Sequence, residues 1–428
     1  MPRQSYSVSG LIPNGRYPVV MRADRSGLAR LEHYLLYLAV FLAPFLTLRF
    51  TEVFFTLSDL FFCASFVLLL ITGRILAAPL GRLTILWMIG FALLLFGLLL
   101  ASLLEGDPVR GFIVLVQYFF AYVVLLFALA RDEPGAVERL ALIALASVIL
   151  VDIHGIYSFY FVGYIAGSTV VSGARRLGTL LGQPNGAAAL NASVLPFVLY
   201  FWLTGRMKSW LALPILVLIF VTVVLTSSNS GLFIAVGALL IFAGSAMSYR
   251  LAWRLLILVV GLVAVLVAGG DQLLPETFRL RVMDAMVSGD IDQAGTYVDR
   301  LKLVREAADM ILQKEIVFVG IGADQFRIVS EQGAPVHNLI LLLWVEGGVF
   351  ALLGWLIFSV VGIKLALDVR RVDRNIYLSA TVLSSIFVFV AFAAVTAHLY
   401  ARYSLIPLLV SYGMAESWLR LRSERPAR

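Results

Sequence analysis

His337 and Asn338 stand where the polar stretch from Asp271 to Val336 gives way to an apolar run, in a chain that is otherwise nearly all apolar. Histidine can take up or release a proton near neutral pH, so its place at such a boundary invites a reading as a general base. Pro335 precedes it and the following run reads as a helix, which puts the imidazole near the unpaired N–H groups of a helix start. That field disfavours the imidazolium and keeps a neutral, proton-accepting ring. Asn338 can cap the same helix start. On physical grounds a proton acceptor and a capping pair are both open for this dipeptide.

Arginines give the second signal. Arg175 and Arg176 lie in a polar loop over residues 165–185, ahead of Pro184-Asn185-Gly186, and Arg300 and Arg305 lie in the segment 296–313. A guanidinium binds phosphate oxygens bidentately, and a lipid diphosphate presents those oxygens at the membrane surface. The alternative use is snorkelling to head groups. Asn185 and Asn338 are the supporting polar side chains.

Other candidates carry less. His33 falls near a membrane boundary, and His398 in a turn between two apolar runs. His154 is two residues from Asp152, a spacing that turns the pair to different sides of a helix. Asp59 and Glu346 are carboxylates at membrane depth, costly unless a partner or cavity meets them. No Asp-x-Asp, His-x-x-His or His-Glu-x-x-His spacing supports a metal site, and no cofactor is expected. Cys63 is the single cysteine, which excludes an intrachain disulfide.

The elements that must position these residues follow from composition. With 61% hydrophobic and 14% charged residues the chain cannot build a water-facing surface. Apolar runs able to cross roughly 30 Å of hydrocarbon recur along it. Twelve are expected, over 33–49, 53–72, 83–104, 111–130, 140–163, 186–204, 210–226, 231–248, 255–270, 338–364, 376–396 and 402–418. The predicted fold is an all-α polytopic membrane protein of about 12 transmembrane helices, with one large loop between spans 9 and 10. The expected division is a tail over 1–32, spans one to nine over 33–270, the loop over 271–336, spans ten to twelve over 337–418, and a tail over 419–428. Within the loop, Val298, Leu301, Val304, Ala308 and Ile311 recur at helical spacing, so an amphipathic helix is expected at 296–313.

Charge sets the expected orientation. Basic residues crowd one set of connections (Arg74, Arg82, Arg131, Arg139, Arg206, Lys208, Arg250, Arg254, Lys364, Arg370, Arg371, Arg374) and both tails. The positive-inside rule therefore predicts both termini in the cytoplasm and the large loop on the periplasmic side. The first residues show no short apolar core with a cleavage site, so no removable signal peptide is expected. The net charge of +7 is explained by this asymmetry and calls for no nucleic-acid partner.

Several motifs together resemble the O-antigen ligase and Wzy-type polysaccharide polymerase superfamily. They are Arg176-x-Gly178 followed by Pro184-Asn185-Gly186, the polar turn Ser227 to Gly231, and Asp299-Arg300 opening the amphipathic helix. Gly320-Ile321-Gly322-Ala323 follows, then His337-Asn338 and, after nine intervening residues, Gly348. The chain departs from the pattern at Asn229, where the family's turn commonly holds an arginine, and at Ala351, where another small residue such as glycine is frequent. The first departure touches one phosphate contact, the second packing.

The resemblance implies a GT-C-like membrane glycosyltransferase of the bacterial inner membrane, with its site on the periplasmic side. The implied donor is a glycan on undecaprenyl diphosphate, displaced with inversion and without a metal. His337 is implied as the residue that activates or orients the acceptor hydroxyl, and Arg176 and Arg300, with Arg175 and Arg305 beside them, as the diphosphate ligands. The acceptor is a second lipid-linked repeat in a polymerase of exopolysaccharide or O-antigen, the expectation taken first, or the lipid A core in a ligase. Membrane lipids, a flippase and a chain-length regulator are the implied neighbours. A reading of another class, a lipid-linked glycan flippase or transporter, fits the span count and Asp59, Asp152 and Glu346. It leaves the large loop unexplained.

Overall fold

The computed structural model describes residues 26–50, 55–269, 276–279, 297–313, 316–373, 375–397 and 401–423. These form a helical bundle with one short antiparallel ribbon, Arg49–Phe50 against Phe55–Thr56. In chain order the helices are α1 (Ser26–Leu42), α2 (Leu57–Ile71), α3 (Leu83–Leu104), α4 (Pro108–Leu129) and α5 (Pro134–Val162). Then come α6 (Pro184–Leu203), α7 (Ser209–Leu225), α8 (Asn229–Ser245), α9 (Tyr249–Ala268) and α10 (Tyr297–Gln313). The last three are α11 (Leu339–Asp373), α12 (Ile376–Ala393) and α13 (Arg402–Ser423).

A helix stands on each of the twelve expected apolar segments. Six of them (α3, α4, α5, α6, α11 and α12) are long and apolar enough to cross a membrane by length and composition. α2, α7 and α8 are shorter apolar helices. α10 is the amphipathic helix expected in the loop; its Leu303, Ala307, Met310 and Ile311 are buried while Lys302, Arg305 and Asp309 are exposed.

Local chemistry sets the ends. Asp107 accepts from the N–H groups of Val109 and Arg110 with Pro108 in the first turn, and Pro134 and Pro184 open α5 and α6. α1 lies several residues ahead of its expected span, because Pro44 cannot continue a helix and the chain turns before it. Glu32 is thereby drawn into α1 and fully buried. It meets Arg131 at 2.6 Å and accepts from the Ser65 hydroxyl at 2.8 Å.

α3 and α11 form the most extensive helix pair. Small residues make it possible: a Cβ on Gly97 would stand 2.4 Å from the Gly347 carbonyl, and one on Gly354 would stand 2.4 Å from that of Gly90. Close approach of backbones through small residues is how helices pack where lipid removes the hydrophobic drive between them. Ala351, one of the departures from the family pattern, is fully buried in this contact.

α11 is not continuous. Gly348 has φ 67° and ψ −168°, far from helical values. The Val349 N–H, which a regular helix would give to Val345, bonds the Val317 carbonyl at 2.9 Å. In return Ile321 and Gly322 donate to the carbonyls of Val345 and Glu346 at 2.8 and 3.0 Å. The Gly320-Ile321-Gly322 motif is thus a backbone splice into a membrane helix. It needs glycine at Gly320, where a Cβ would meet the Glu346 carbonyl carbon at 2.3 Å.

Candidate active site

Asn338 is the N-cap of α11. Its side-chain oxygen accepts from the Leu341 N–H at 3.1 Å, and its carbonyl accepts from Leu342 at 2.9 Å. Such a cap contributes about 1 kcal/mol. His337 precedes the cap and is exposed, while Val336 before it is fully buried. The two residues therefore differ: the asparagine holds the helix start, and the histidine is exposed ahead of it.

α10 lies against this junction. Its buried face packs with Phe326, Val336, Leu342 and Val345, the residues that flank His337 in sequence and space. This places Arg300 close enough for its charge to act on the imidazole. The His337 pKa is lowered, first by partial burial of the ring and then by the Arg300 guanidinium. Partial burial and Arg300 both act in the direction that the helix-start field was expected to act. Arg305 is exposed, five residues on from Arg300 and so roughly 140° around the helix.

Arg176 takes a different place. Its Nε donates to the Thr226 carbonyl at 2.9 Å and a terminal nitrogen donates to Asn185 Oδ1 at 3.0 Å. Arg176 thus ties the 165–185 loop to the start of α6 and to the α7–α8 turn. That turn is the one in which Asn229 replaces the family's arginine, and Arg176 now spans to it. Arg175 has φ 51° and is exposed, its guanidinium 5.7 Å from the centre of the Phe159 ring. The large loop touches the same region, since the Thr277 hydroxyl donates to the Ala174 carbonyl at 2.5 Å.

The other polar candidates have structural partners. Asp59 closes a capping box with Thr56 at the start of α2 and meets Arg402 Nε at 2.5 Å. Glu346 Oε1 accepts from the Phe326 N–H at 3.2 Å, just above the Gly348 break. Asp152 is buried and accepts from Asn191 at 3.0 Å, while His154 points to the exposed side of α5. His33 is bonded to the Ala29 carbonyl within α1, and His398 lies outside the described residues. Among the described residues no group of three His, Cys, Asp or Glu side chains is placed to hold a metal ion.

One residue at the site carried no motif in the sequence. Glu306 on α10 accepts from the Ser330 hydroxyl at 3.0 Å and from the Glu331 N–H at 2.9 Å, just ahead of the turn to His337. Its only sequence signal is its place on the amphipathic helix, at the margin of the apolar stripe.

These features define an integral membrane protein of the polytopic all-α class, with a histidine and an arginine gathered at the capped start of one apolar helix. The O-antigen ligase family model matches residues 214–356, from α7 through the Gly348 break, and this match supports the O-antigen ligase and Wzy superfamily for the chain. Members are glycosyltransferase-like enzymes that act on lipid-linked glycans. No curated protein matches the chain.

Proposed function

We propose that the protein is a glycosyltransferase that moves a glycan from undecaprenyl diphosphate to an acceptor hydroxyl at the periplasmic face of the bacterial inner membrane. The observation that carries this reading is the packing of α10, the helix that bears Arg300, against Val336 and Leu342 on either side of His337, inside the segment matched to the O-antigen ligase family. The basic residues at the other ends of the helices support both termini in the cytoplasm and this site outside.

In the proposed step the neutral His337 ring takes the proton of the acceptor hydroxyl as its oxygen attacks the anomeric carbon. The bond from that carbon to the diphosphate breaks on the opposite face, so the anomer inverts and the diphosphate leaves with the electron pair. Arg300 and Arg176 supply positive charge to the departing phosphates, with Arg175 and Arg305 as outer ligands. Arginine charge takes the part that a metal ion plays in other transfers to and from diphosphates. The donor is already activated, so positioning and charge stabilisation are the main demands.

The acceptor taken first is a second lipid-linked repeat, which makes the protein a polymerase of exopolysaccharide or O-antigen. The lipid A core, which would make it a ligase, is the other acceptor the family match covers. The test is His337→Ala expressed in a strain lacking the chromosomal copy, with lipid-linked glycan and finished polymer measured together. Donor repeats should accumulate while the protein stays in the membrane; wild-type polymer would refute the assignment. Single repeats on lipid A core with no long chains would favour the polymerase, and long chains left on the lipid carrier would favour the ligase.

A further inference from the structure

We infer that Glu306 is a positioning residue: its carboxylate clasps α10 to the segment that delivers His337, and so fixes where the Arg300 guanidinium stands relative to the imidazole. The kinetic part of this inference rests on the function proposed above, and the structural part does not.

Both carboxylate oxygens are used. Oε2 accepts a hydrogen bond from the Ser330 hydroxyl at 3.0 Å and Oε1 from the Glu331 N–H at 2.9 Å, while Ser330 Oγ also accepts from the Gln332 N–H at 3.2 Å. Hydrogen bonds to an ionised acceptor are about twice as strong as neutral ones. Ser330 is buried, so the clasp is shielded from water on that side. From Gln332 only Gly333, Ala334, Pro335 and Val336 separate the clasp from His337, and Pro335 stiffens that run. On the other side, Glu306 and Arg300 share one rigid helix, less than two turns apart. Clasp, helix and lead-in therefore close a ring of short connections that carries both Arg300 and His337.

The apolar contacts of α10 do not by themselves fix that geometry. Leu303, Ala307, Met310 and Ile311 form a stripe that resists lifting, but smooth apolar packing resists sliding along or rolling about the helix axis far less than a two-point bond does. Of the charged groups on the elements packed around His337, α10 carries Asp299, Arg300, Lys302, Arg305, Glu306 and Asp309. The segment ahead of α11 carries Asp324, Arg327 and Glu331, and α11 carries Glu346 more than a turn in. Arg300 is the one whose charge reaches the ring among the described residues.

The sign of the effect isolates positioning from simple charge removal. Deleting a carboxylate near an imidazole withdraws a stabilising charge from the imidazolium and moves the histidine titration down. Releasing Arg300 from His337 moves it up. The experiment follows carbethoxylation of His337 against pH by mass spectrometry of its peptide, in full-length protein purified in detergent. Glu306→Ala is expected to move the midpoint up, and Arg300→Ala to do the same. Glu306→Ala added to Arg300→Ala should give no further rise. Glu306→Gln, which keeps two hydrogen-bonding atoms at the same reach, should restore most of the wild-type midpoint.

A midpoint that stays or falls in Glu306→Ala, or that still rises when Arg300 is already absent, would overturn the inference. If Glu306→Ala does not purify as a folded species, Ser330→Ala decides, since it removes one of the two bonds. It should move the midpoint up by less, and an unmoved midpoint overturns the clasp. In turnover with a lipid-linked repeat, Glu306→Ala should lose about tenfold to a hundredfold in rate, as expected for misplaced catalytic groups. Should the chain show no transferase activity, the titration arm still stands alone.

Discussion

The N–H of Gly322 reaches the carbonyl of Glu346 at 3.0 Å, a bond between the segment ahead of α11 and the interior of that apolar helix. Around it, α11 gives up a turn of its own hydrogen bonding and receives backbone partners from residues 317–322. Membrane helices tolerate such breaks only where neighbouring protein satisfies the freed groups, and here the loop itself does so.

Gly348→Ala tests that splice. A Cβ there would stand against the Phe318 carbonyl oxygen, at a φ that L residues rarely adopt, a conformation costing about 1–3 kcal/mol before the clash is counted. The variant should melt well below wild type in detergent. Gly261→Ala in α9, where nothing lies within 4 Å, should melt at or above it. Equal melting of the two would mean that the break is not required.

Proton chemistry gives a second prediction. His337 must be neutral to accept a proton, and its pKa is lowered by partial burial and by Arg300. The rate should therefore hold as pH falls past the ordinary histidine value near 6.5 and fail only below it. The same sign applies to folding: the unfolded chain takes up this proton first, so this contribution to stability is full above the unfolded pKa and lost as pH drops below it. A pH–rate profile that fails at or above 6.5 would remove His337 as the base.

Arg300→Lys separates charge from geometry. Lysine keeps the positive charge that holds His337 neutral and loses the planar fork that grips two phosphate oxygens. Turnover should fall at least about tenfold while the acid limb of the pH profile stays in place. An unchanged rate would leave Arg300 with only an electrostatic role at His337.

Asn338→Ala divides capping from catalysis. Loss of the bond to the Leu341 N–H should cost about 1 kcal/mol of stability. Turnover should fall far less than in His337→Ala. Equal losses would show that the dipeptide acts through the helix start alone.

A last prediction concerns stability on the same side of the bundle. Asp59 is fully buried and its partner Arg402 nearly so. Arg402→Ala strands that carboxylate, and breaking such a pair costs about 3–5 kcal/mol. Arg402→Ala combined with Asp59→Asn should recover much of the loss in a thermal melt.

The helices were legible because apolar length is a local property, whereas Pro108 and Pro134 open α4 and α5 a few residues ahead of the spans expected from it. The place of His337 just ahead of an apolar helix was legible for the same reason. The role of Gly348 was not, since nothing local to an apolar run says that residues about thirty positions earlier will supply its missing bonds. Glu346 read as a costly buried charge until Phe326 was seen to donate to it. Arg176 and Asn185 lay within one motif, but their bond was not foreseen, and Glu306 and Ser330 meet across a loop that sequence spacing cannot fold.

The splice at Gly348 also bears on how this protein could be re-engineered or could diverge. An outer loop that merely sat on the bundle would be an exchangeable part, free to trade acceptor preference between relatives. Here residues 317–326 and 345–349 are complementary halves of one joint, so a transplanted loop brings orphaned helix carbonyls unless its α11 counterpart travels with it. The smallest heritable module is the loop and the first half of α11 together, and chimaeras cut at the loop's apparent edges should fail to assemble.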